Sequence, residues 1–460
     1  MKQRNSLYLF SITLVATLGG LLFGYDTAVI SGAEKSIQVY LVNGLGLNSW
    51  IHGATVSSAL IGCIIGGSIS GWIASDIGRK KALFIAASLF FLTAIGSGNP
   101  EFLFFTKGHA SIGVLIMFNF YRIIGGIGVG LASAVCPMYI SEIAPADIRG
   151  RLVSINQFAI VFGILVVYFI NWGIAKGQTL EWINSNGWRW MFISGSVPAG
   201  LFAILLFFVP ETPRYLALAG KDEEALKILK KINGLEHAKE ILKEIELTVG
   251  KSSGKLFAYG KLVVIIGILL SVFQQFVGIN VAMYYAPRIF ESMGAAKDAS
   301  MLQSVVMGLI NVVFTVVAIL TVDKWGRKPL LYMGSVGMAI GMFAIGALAF
   351  FNVIGILTLV FIVIYTASFM MSWGPICWVL ISEIFPNKIR GKAVAIAVAV
   401  MWAANFLISS TYPAMMEISS GGTYCLYGAM SVLSIIFVWK MVPETKNKTL
   451  EEIENIWKKL

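Results

Sequence analysis

With 460 residues, 57% of them apolar and only 13% charged, the chain departs from soluble globular proteins, where about 25% of residues are charged. Together with a mean hydropathy of +0.80, this excludes an ordinary soluble protein and predicts an all-α polytopic membrane protein. A net charge of +11 would suggest nucleic-acid binding in a soluble chain; here it reads as membrane topology, and no nucleic-acid partner is expected.

A membrane-crossing helix needs about 20 mostly apolar residues. Such runs are predicted over 7–31, 52–74, 82–98, 112–134, 152–174 and 190–209. After a polar stretch over 210–260 they resume over 261–285, 300–322, 329–350, 353–381, 393–411 and 423–442. Twelve transmembrane helices in two six-helix halves follow, divided as 1–209, a linker over 210–260, 261–442 and a tail over 443–460. The first run continues past twenty residues with no small-residue cleavage pattern, so no secretory leader is expected. Of the 35 Lys and Arg, 28 fall on one side. Lys35, Lys107, Lys176, Arg189, Arg288 and Lys297 fall on the other, and Arg122 lies inside a span. The positive-inside rule then places both termini and the linker in the cytoplasm of a multi-pass plasma (inner) membrane protein.

Within the linker, Ala225, Ile228, Leu229 and Ile232 follow helical spacing, as do Ala238, Ile241, Leu242 and Ile245, which predicts two short amphipathic helices. Thr449 and Glu452 form a capping box for a C-terminal helix. Cys63, Cys136, Cys377 and Cys425 sit in apolar runs and read as small buried hydrophobes. His52, His109 and His237 read as loop residues without a second ligand at helical spacing, so no metal or other cofactor is expected.

The chain repeats itself. The segment 141–151 (Ser-Glu-Ile-Ala-Pro-Ala-Asp-Ile-Arg-Gly-Arg) returns as 382–392 (Ser-Glu-Ile-Phe-Pro-Asn-Lys-Ile-Arg-Gly-Lys). Asp76-Ile77-Gly78-Arg79-Lys80 returns as Asp323-Lys324-Trp325-Gly326-Arg327-Lys328, and Pro210-Glu211-Thr212-Pro213-Arg214 as Pro443-Glu444-Thr445-Lys446. Each pair occupies the equivalent loop of its half, so the unit is a duplicated set of six helices. Parallel repeats around a central site suit the movement of a solute rather than a catalytic site.

These motifs resemble the sugar porter branch of the major facilitator superfamily over nearly the whole chain. The run 10–26 and the stretch Phe273-Gln274-Gln275-Phe276-Val277-Gly278-Ile279-Asn280 look especially like its proton-coupled members. The resemblance implies the major facilitator fold and uptake of a monosaccharide, glucose or xylose, with a proton. It also implies a loop switch of Asp76, Arg79, Glu142, Arg149, Asp323, Arg327, Glu383 and Arg390, with Asp76 and Asp323 pairing with nearby arginines as the halves rock.

A sugar presents hydroxyls that both donate and accept, plus an apolar C–H face. Amides match the hydroxyls, and an amide inside a span is costly unless it faces a wet cavity. Gln157, Gln274, Gln275, Asn280, Asn311 and Asn405 are such residues. The resemblance maps Gln157, Gln274, Gln275 and Asn280, and more weakly Asn311, onto sugar-contacting positions. Trp378 and Trp402 would supply indoles, with an interruption of span ten expected at Gly374-Pro375. Phe23 and Tyr284 would line the cavity or its gate. Gly20/Gly24, Gly62/Gly66, Gly67/Gly71 and Gly126/Gly130 read as close helix contacts. Departures from proton-coupled members are Ile164 for glutamine, Met401 for a polar amide, Met283 for leucine and Gly195 for a glutamate. The wall is therefore less polar, which favours a hexose.

Asp26 and Arg122 are the proton-coupling candidates. Their depths, counted at 1.5 Å per residue, let them meet, and an intramembrane ionisable residue is a functional hypothesis by default. The guanidinium favours the carboxylate while desolvation favours the neutral acid, so wetting and drying the pair could load and release a proton. An enzyme is disfavoured: 250–255 falls one residue short of a phosphate-binding loop, and no protease or hydrolase motif occurs. Alternatives are an uncoupled uniporter and a transporter-like sugar receptor. A monomer in the lipid bilayer is expected.

Overall fold

The computed structural model describes residues 5–446 except 103, 146–147, 249–255, 258, 286, 288, 290, 292–296, 352, 354 and 387–388. Among them, twelve helices are long and apolar enough to cross a membrane. In chain order these spans are Leu7–Leu45, Ser49–Ile77, Arg79–Gly98, Ile112–Ile143, Leu152–Ala175, Leu180–Leu206, Lys261–Tyr284, Ser300–Val322, Arg327–Phe350, Leu357–Ile381, Lys392–Ile418 and Ser420–Met441. Every predicted run is present, but several helices outrun the hydropathy. Span one continues past residue 31 because Ile30, Ala33, Glu34 and Ile37 stay packed inside the protein. His52, read as a loop residue, instead lies in the first turn of span two and is buried.

Spans one to six pack chiefly on one another, as do seven to twelve, and the two sets meet mainly through spans two and eleven and spans five and eight. Close approach within the first set depends on glycine. A Cβ on Gly126 would lie 1.7 Å from the Ala59 carbonyl oxygen, and one on Gly24 would lie 1.9 Å from that of Ile160. Without a hydrophobic force between helices in lipid, such backbone contact supplies the packing. Gly67 and Gly71 do not belong to this class: nothing approaches a Cβ at Gly67 closer than 3.8 Å, and Gly71 faces open space.

One end of the bundle, here the motif face, carries the repeated loops and three short helices over Pro213–Leu218, Asp222–Asn233 and Leu235–Thr248. The latter two match the periodicity; the first has only six residues, too few to show a period. Thr212 opens it by accepting from the Tyr215 N–H at 3.3 Å. Leu216, Ala225, Leu229, Ala238 and Leu242 form a small core of their own. The capping box at Thr449 and Glu452 lies outside the described residues. Cys63, Cys136 and Cys377 are buried and Cys425 half-buried, all four as free thiols.

Candidate functional site

Two helix breaks build the centre. Span seven stops at Phe276 and restarts at Ile279. Gly278 between them has φ +91°, and a Cβ there would strike the Tyr427 ring at 2.9 Å, so both backbone and packing require glycine. Span ten breaks at Met371–Ser372 and restarts at Trp373. The expected interruption at Gly374-Pro375 is thus displaced toward the N-terminus. Proline fits the first turn of a helix, where its missing N–H has no partner to lose.

Amides bridge the breaks in series. Asn280 donates to Gln275 Oε1 at 2.5 Å, Gln275 donates to Gln274 Oε1 at 3.2 Å, and Gln274 donates to the Trp373 and Gly374 carbonyls at 3.2 and 3.3 Å. Asn311 flanks the same break, since its neighbour Thr315 lies 3.9 Å from the Met370 sulfur. Asn311 is fully buried, yet neither side-chain polar atom has a partner. Trp402 Nε1 is likewise buried and unpartnered, with Phe23 5.5 Å away, centroid to centroid. Buried amides in that state are rare and call for a ligand or water. Asn405 donates to the Tyr284 hydroxyl at 3.3 Å. Gln157 and Trp378 are half-buried on spans five and ten. Ile164 and Met401 are buried.

Asp26 and Arg122 meet. Arg122 Nη1 donates to Asp26 Oδ1 at 3.1 Å and Nη2 to the Asp26 carbonyl at 3.2 Å. The guanidinium carbon also lies 5.3 Å from the centre of the Phe192 ring. Asp26 Oδ2 is buried without a partner. Beside it lies a cavity of about 10 Å³, bounded also by Tyr25, Phe192 and Gly195, roughly the room one water needs. Gly195, the departure noted above, thus opens on the same space as Asp26.

The motif face holds two copies of one node. Arg79 donates to Glu142 at 2.8 Å, Thr212 donates to the other oxygen of Glu142 at 2.6 Å, and Glu211 accepts from the Arg79 and Lys80 N–H groups. Arg327 donates to Glu383 at 3.0 Å, Thr445 to Glu383 at 2.6 Å, and Glu444 accepts from the Arg327 and Lys328 N–H groups. Glu211 and Glu444 thereby satisfy orphan donors at the starts of spans three and nine, next to Gly78 and Gly326. Burial lifts the Glu211 carboxyl above its usual range. At Glu444 burial acts the same way, but four backbone N–H bonds outweigh it and hold the carboxyl low. The Asp76 carbonyl accepts from the Tyr215 hydroxyl at 3.1 Å, and Arg79 serves Glu142. The side chains of Arg149, Asp323 and Arg390 lie outside the described residues.

Residues 12–457 match the family described as sugar (and other) transporter. The chain belongs to the sugar transporter family. Among its relatives the D-xylose-proton symporter of Escherichia coli K12 is 52% identical, over 99% of this chain and 97% of that protein. The glucose facilitated diffusion protein of Zymomonas mobilis is 38% identical over 97% of each chain. The solved structure of the E. coli xylose transporter XylE, inward open, superposes with a TM-score of 0.88 at 51% identity, covering 98% of this chain and all of that one. This sugar transporter therefore has the major facilitator fold of twelve membrane helices.

Sequence reasoning gave no role in this transporter to two further buried pairs. Arg189 grips Glu101 through both terminal nitrogens, at 2.6 and 2.5 Å, and Tyr40 adds a hydroxyl at 2.8 Å. His52 meets Glu34 at 2.5 Å. Nor did it give a role to Glu211 or Glu444, although the repeated Pro-Glu-Thr was the available signal.

Proposed function

We propose that the protein takes up a monosaccharide together with a proton by alternating access, with the motif face in the cytoplasm of a bacterial plasma membrane. The observation that carries this is the run of three amides in series across two helix breaks, with the unsatisfied Asn311 beside it. Half-broken helices near mid-membrane are where transporters expose polar groups to a solute. Gln157, Gln274, Gln275, Asn280 and Asn311 would serve the hydroxyls, and Trp378, Trp402, Phe23 and Tyr284 the apolar face. Segments 1–209 and 261–442 would move as two bodies, with 210–260 as the connection. The protein would act as a monomer and catalyse no covalent chemistry.

Cross-set contacts support a state closed at the face opposite the motifs. There Lys35 pairs with Glu291, Ser49 donates to Glu417 at 2.7 Å, and Tyr168 donates to the Met283 carbonyl at 2.9 Å. The uncoupled alternative is favoured by one feature, the missing carboxylate at Gly195.

Gln274→Ala removes the link between the relay and span ten. One such contact is worth about 0.5–1.5 kcal/mol, more when a buried partner is left unpaired. Sugar affinity by titration calorimetry should fall several-fold to about a hundredfold. Unchanged binding in both Gln157→Ala and Gln274→Ala removes the site assignment. For substrate choice, the apolar side chain of Ile164 should favour the extra hydroxymethyl of a hexose. In a competition assay, glucose should displace labelled sugar at lower concentration than xylose; the reverse order, by a wide margin, defeats the hexose reading.

A further inference from the structure

The break in span ten has a support that lies outside the run of amides. Trp373 restarts the span, and its carbonyl and that of Gly374 accept from Gln274 Nε2 at 3.2 and 3.3 Å. Ser372, just before it, has φ −135° and ψ −92°. That backbone is not helical, so no continuous ladder carries the first half of the span into the second. The place of the Trp373 backbone has to be fixed from the side.

Span nine does this with two adjacent residues. A Cβ on Gly334 would stand 1.7 Å from Ser372 Oγ, so the break lies directly against that glycine. The next residue, Ser335, accepts from the Trp373 indole Nε1 at 2.7 Å. Ser434 of span twelve donates to the same Ser335 hydroxyl at 2.8 Å. Trp373, Ser335 and Ser434 are all 0% exposed. An indole has one polar hydrogen and no acceptor, and a buried donor left without a partner costs more than the bond itself is worth. The ring is therefore pinned at a single point, Ser335 Oγ, and its backbone is pinned with it.

An amide recognises a sugar hydroxyl only when its own orientation is set, and a binding site works within about 0.5 Å of its productive geometry. Gln274 takes its orientation from the two carbonyls, and the carbonyls take their place from the Ser335–Trp373 bond. We propose that Ser335 is a positioning residue for sugar recognition, which holds the Trp373 restart of span ten where its carbonyls orient Gln274. Ser335 does not touch the sugar; the order of dependence is Ser335, Trp373, Gln274, sugar. This rests on the sugar-site reading above. It differs from plain core packing in one respect: the effect of Ser335 on affinity passes through Gln274.

The test is a mutant cycle on the full-length protein in lipid nanodiscs, titrated with D-glucose and with D-xylose. Tryptophan fluorescence reads binding, and sugar solubility lets the titration run to high concentration. Ser335→Ala should weaken binding about two- to tenfold. Trp373→Phe, which keeps a ring but removes the N–H, should do so by a similar factor. The double variant should lose no more than the worse of the two. Beside Gln274→Ala the Ser335→Ala factor should shrink to about one; beside Gln157→Ala it should persist, since independent sites add. Lowered melting temperatures with native affinity in both single variants assign Ser335 to packing alone and overturn the proposal. A factor undiminished beside Gln274→Ala, or lost equally beside Gln157→Ala, also overturns it. If Ser335→Ala does not fold, Trp373→Phe carries the same cycle. A native protein that binds neither sugar overturns the sugar-site reading and the proposal with it.

Discussion

Asp26→Asn is expected to abolish uphill sugar accumulation driven by a pH gradient in proteoliposomes, bringing the inside-to-outside ratio to one. Asparagine preserves the shape and the acceptor oxygen that Arg122 Nη1 reaches at 3.1 Å, but it cannot exchange a proton. Sugar binding and sugar-for-sugar counterflow, which need no net proton movement, should persist. The competing view is a permanent salt bridge between spans one and four. Breaking a buried pair costs about 3–5 kcal/mol because the remaining charge is stranded, so that view predicts a parallel loss of stability, counterflow and accumulation. Full accumulation by the variant sinks the coupling role.

Arg189→Met should lower stability by a comparable amount, about 3–5 kcal/mol, without touching the sugar site. The Arg189 and Glu101 side chains are 5% and 3% exposed, and Tyr40 completes the cluster. Burial pushes the Glu101 carboxyl up, but the bonds from Arg189 and Tyr40 outweigh it and hold the group below its ordinary value of 4.5. A carboxyl depressed in the folded state contributes stability above the unfolded value and loses it as pH falls through the folded one. Native protein should therefore lose thermal stability below about pH 4.5. In Arg189→Met the guanidinium is gone and burial is opposed mainly by the Tyr40 hydroxyl, so acidification neutralises the stranded carboxylate and narrows the gap to native. Melting curves from pH 4 to 7 check this; two profiles that run parallel refute the pairing as its cause.

The centre of the molecule was legible in the sequence for a physical reason. Charged and amide side chains are so costly in hydrocarbon that Asp26, Arg122 and the Gln274–Asn280 cluster stand out against their neighbours, and the structure joins Asp26 to Arg122 and Gln274 to Gln275 and Asn280. Glu34, His52, Glu101 and Arg189 stayed hidden because each lies near the end of an apolar run, where a charge looks like a solvated loop. Their partners are set by helices that continue beyond the hydropathy, and no local spacing reports that. Glu211 and Glu444 were visible as a repeat but mute as to function, since the N–H groups they cap belong to another element. The break in span ten was misplaced because proline marks the start of the second helix rather than the gap.

The two nodes on the motif face have a mechanical consequence. Arg79, Glu142, Glu211 and Thr212 belong to one six-span set, and Arg327, Glu383, Glu444 and Thr445 to the other; among the described residues these bonds never cross between them. Through these bonds each acts as an internal brace, stiffening its own body without tying it to the other. An ion pair that does cross lies at the opposite face, where Lys35–Glu291 is half-open to solvent on the lysine side and such pairs are worth about 0–1 kcal/mol. Stiff bodies joined by a weak clasp make a rocker whose tilt can be tipped by a solute that forms only a few good hydrogen bonds.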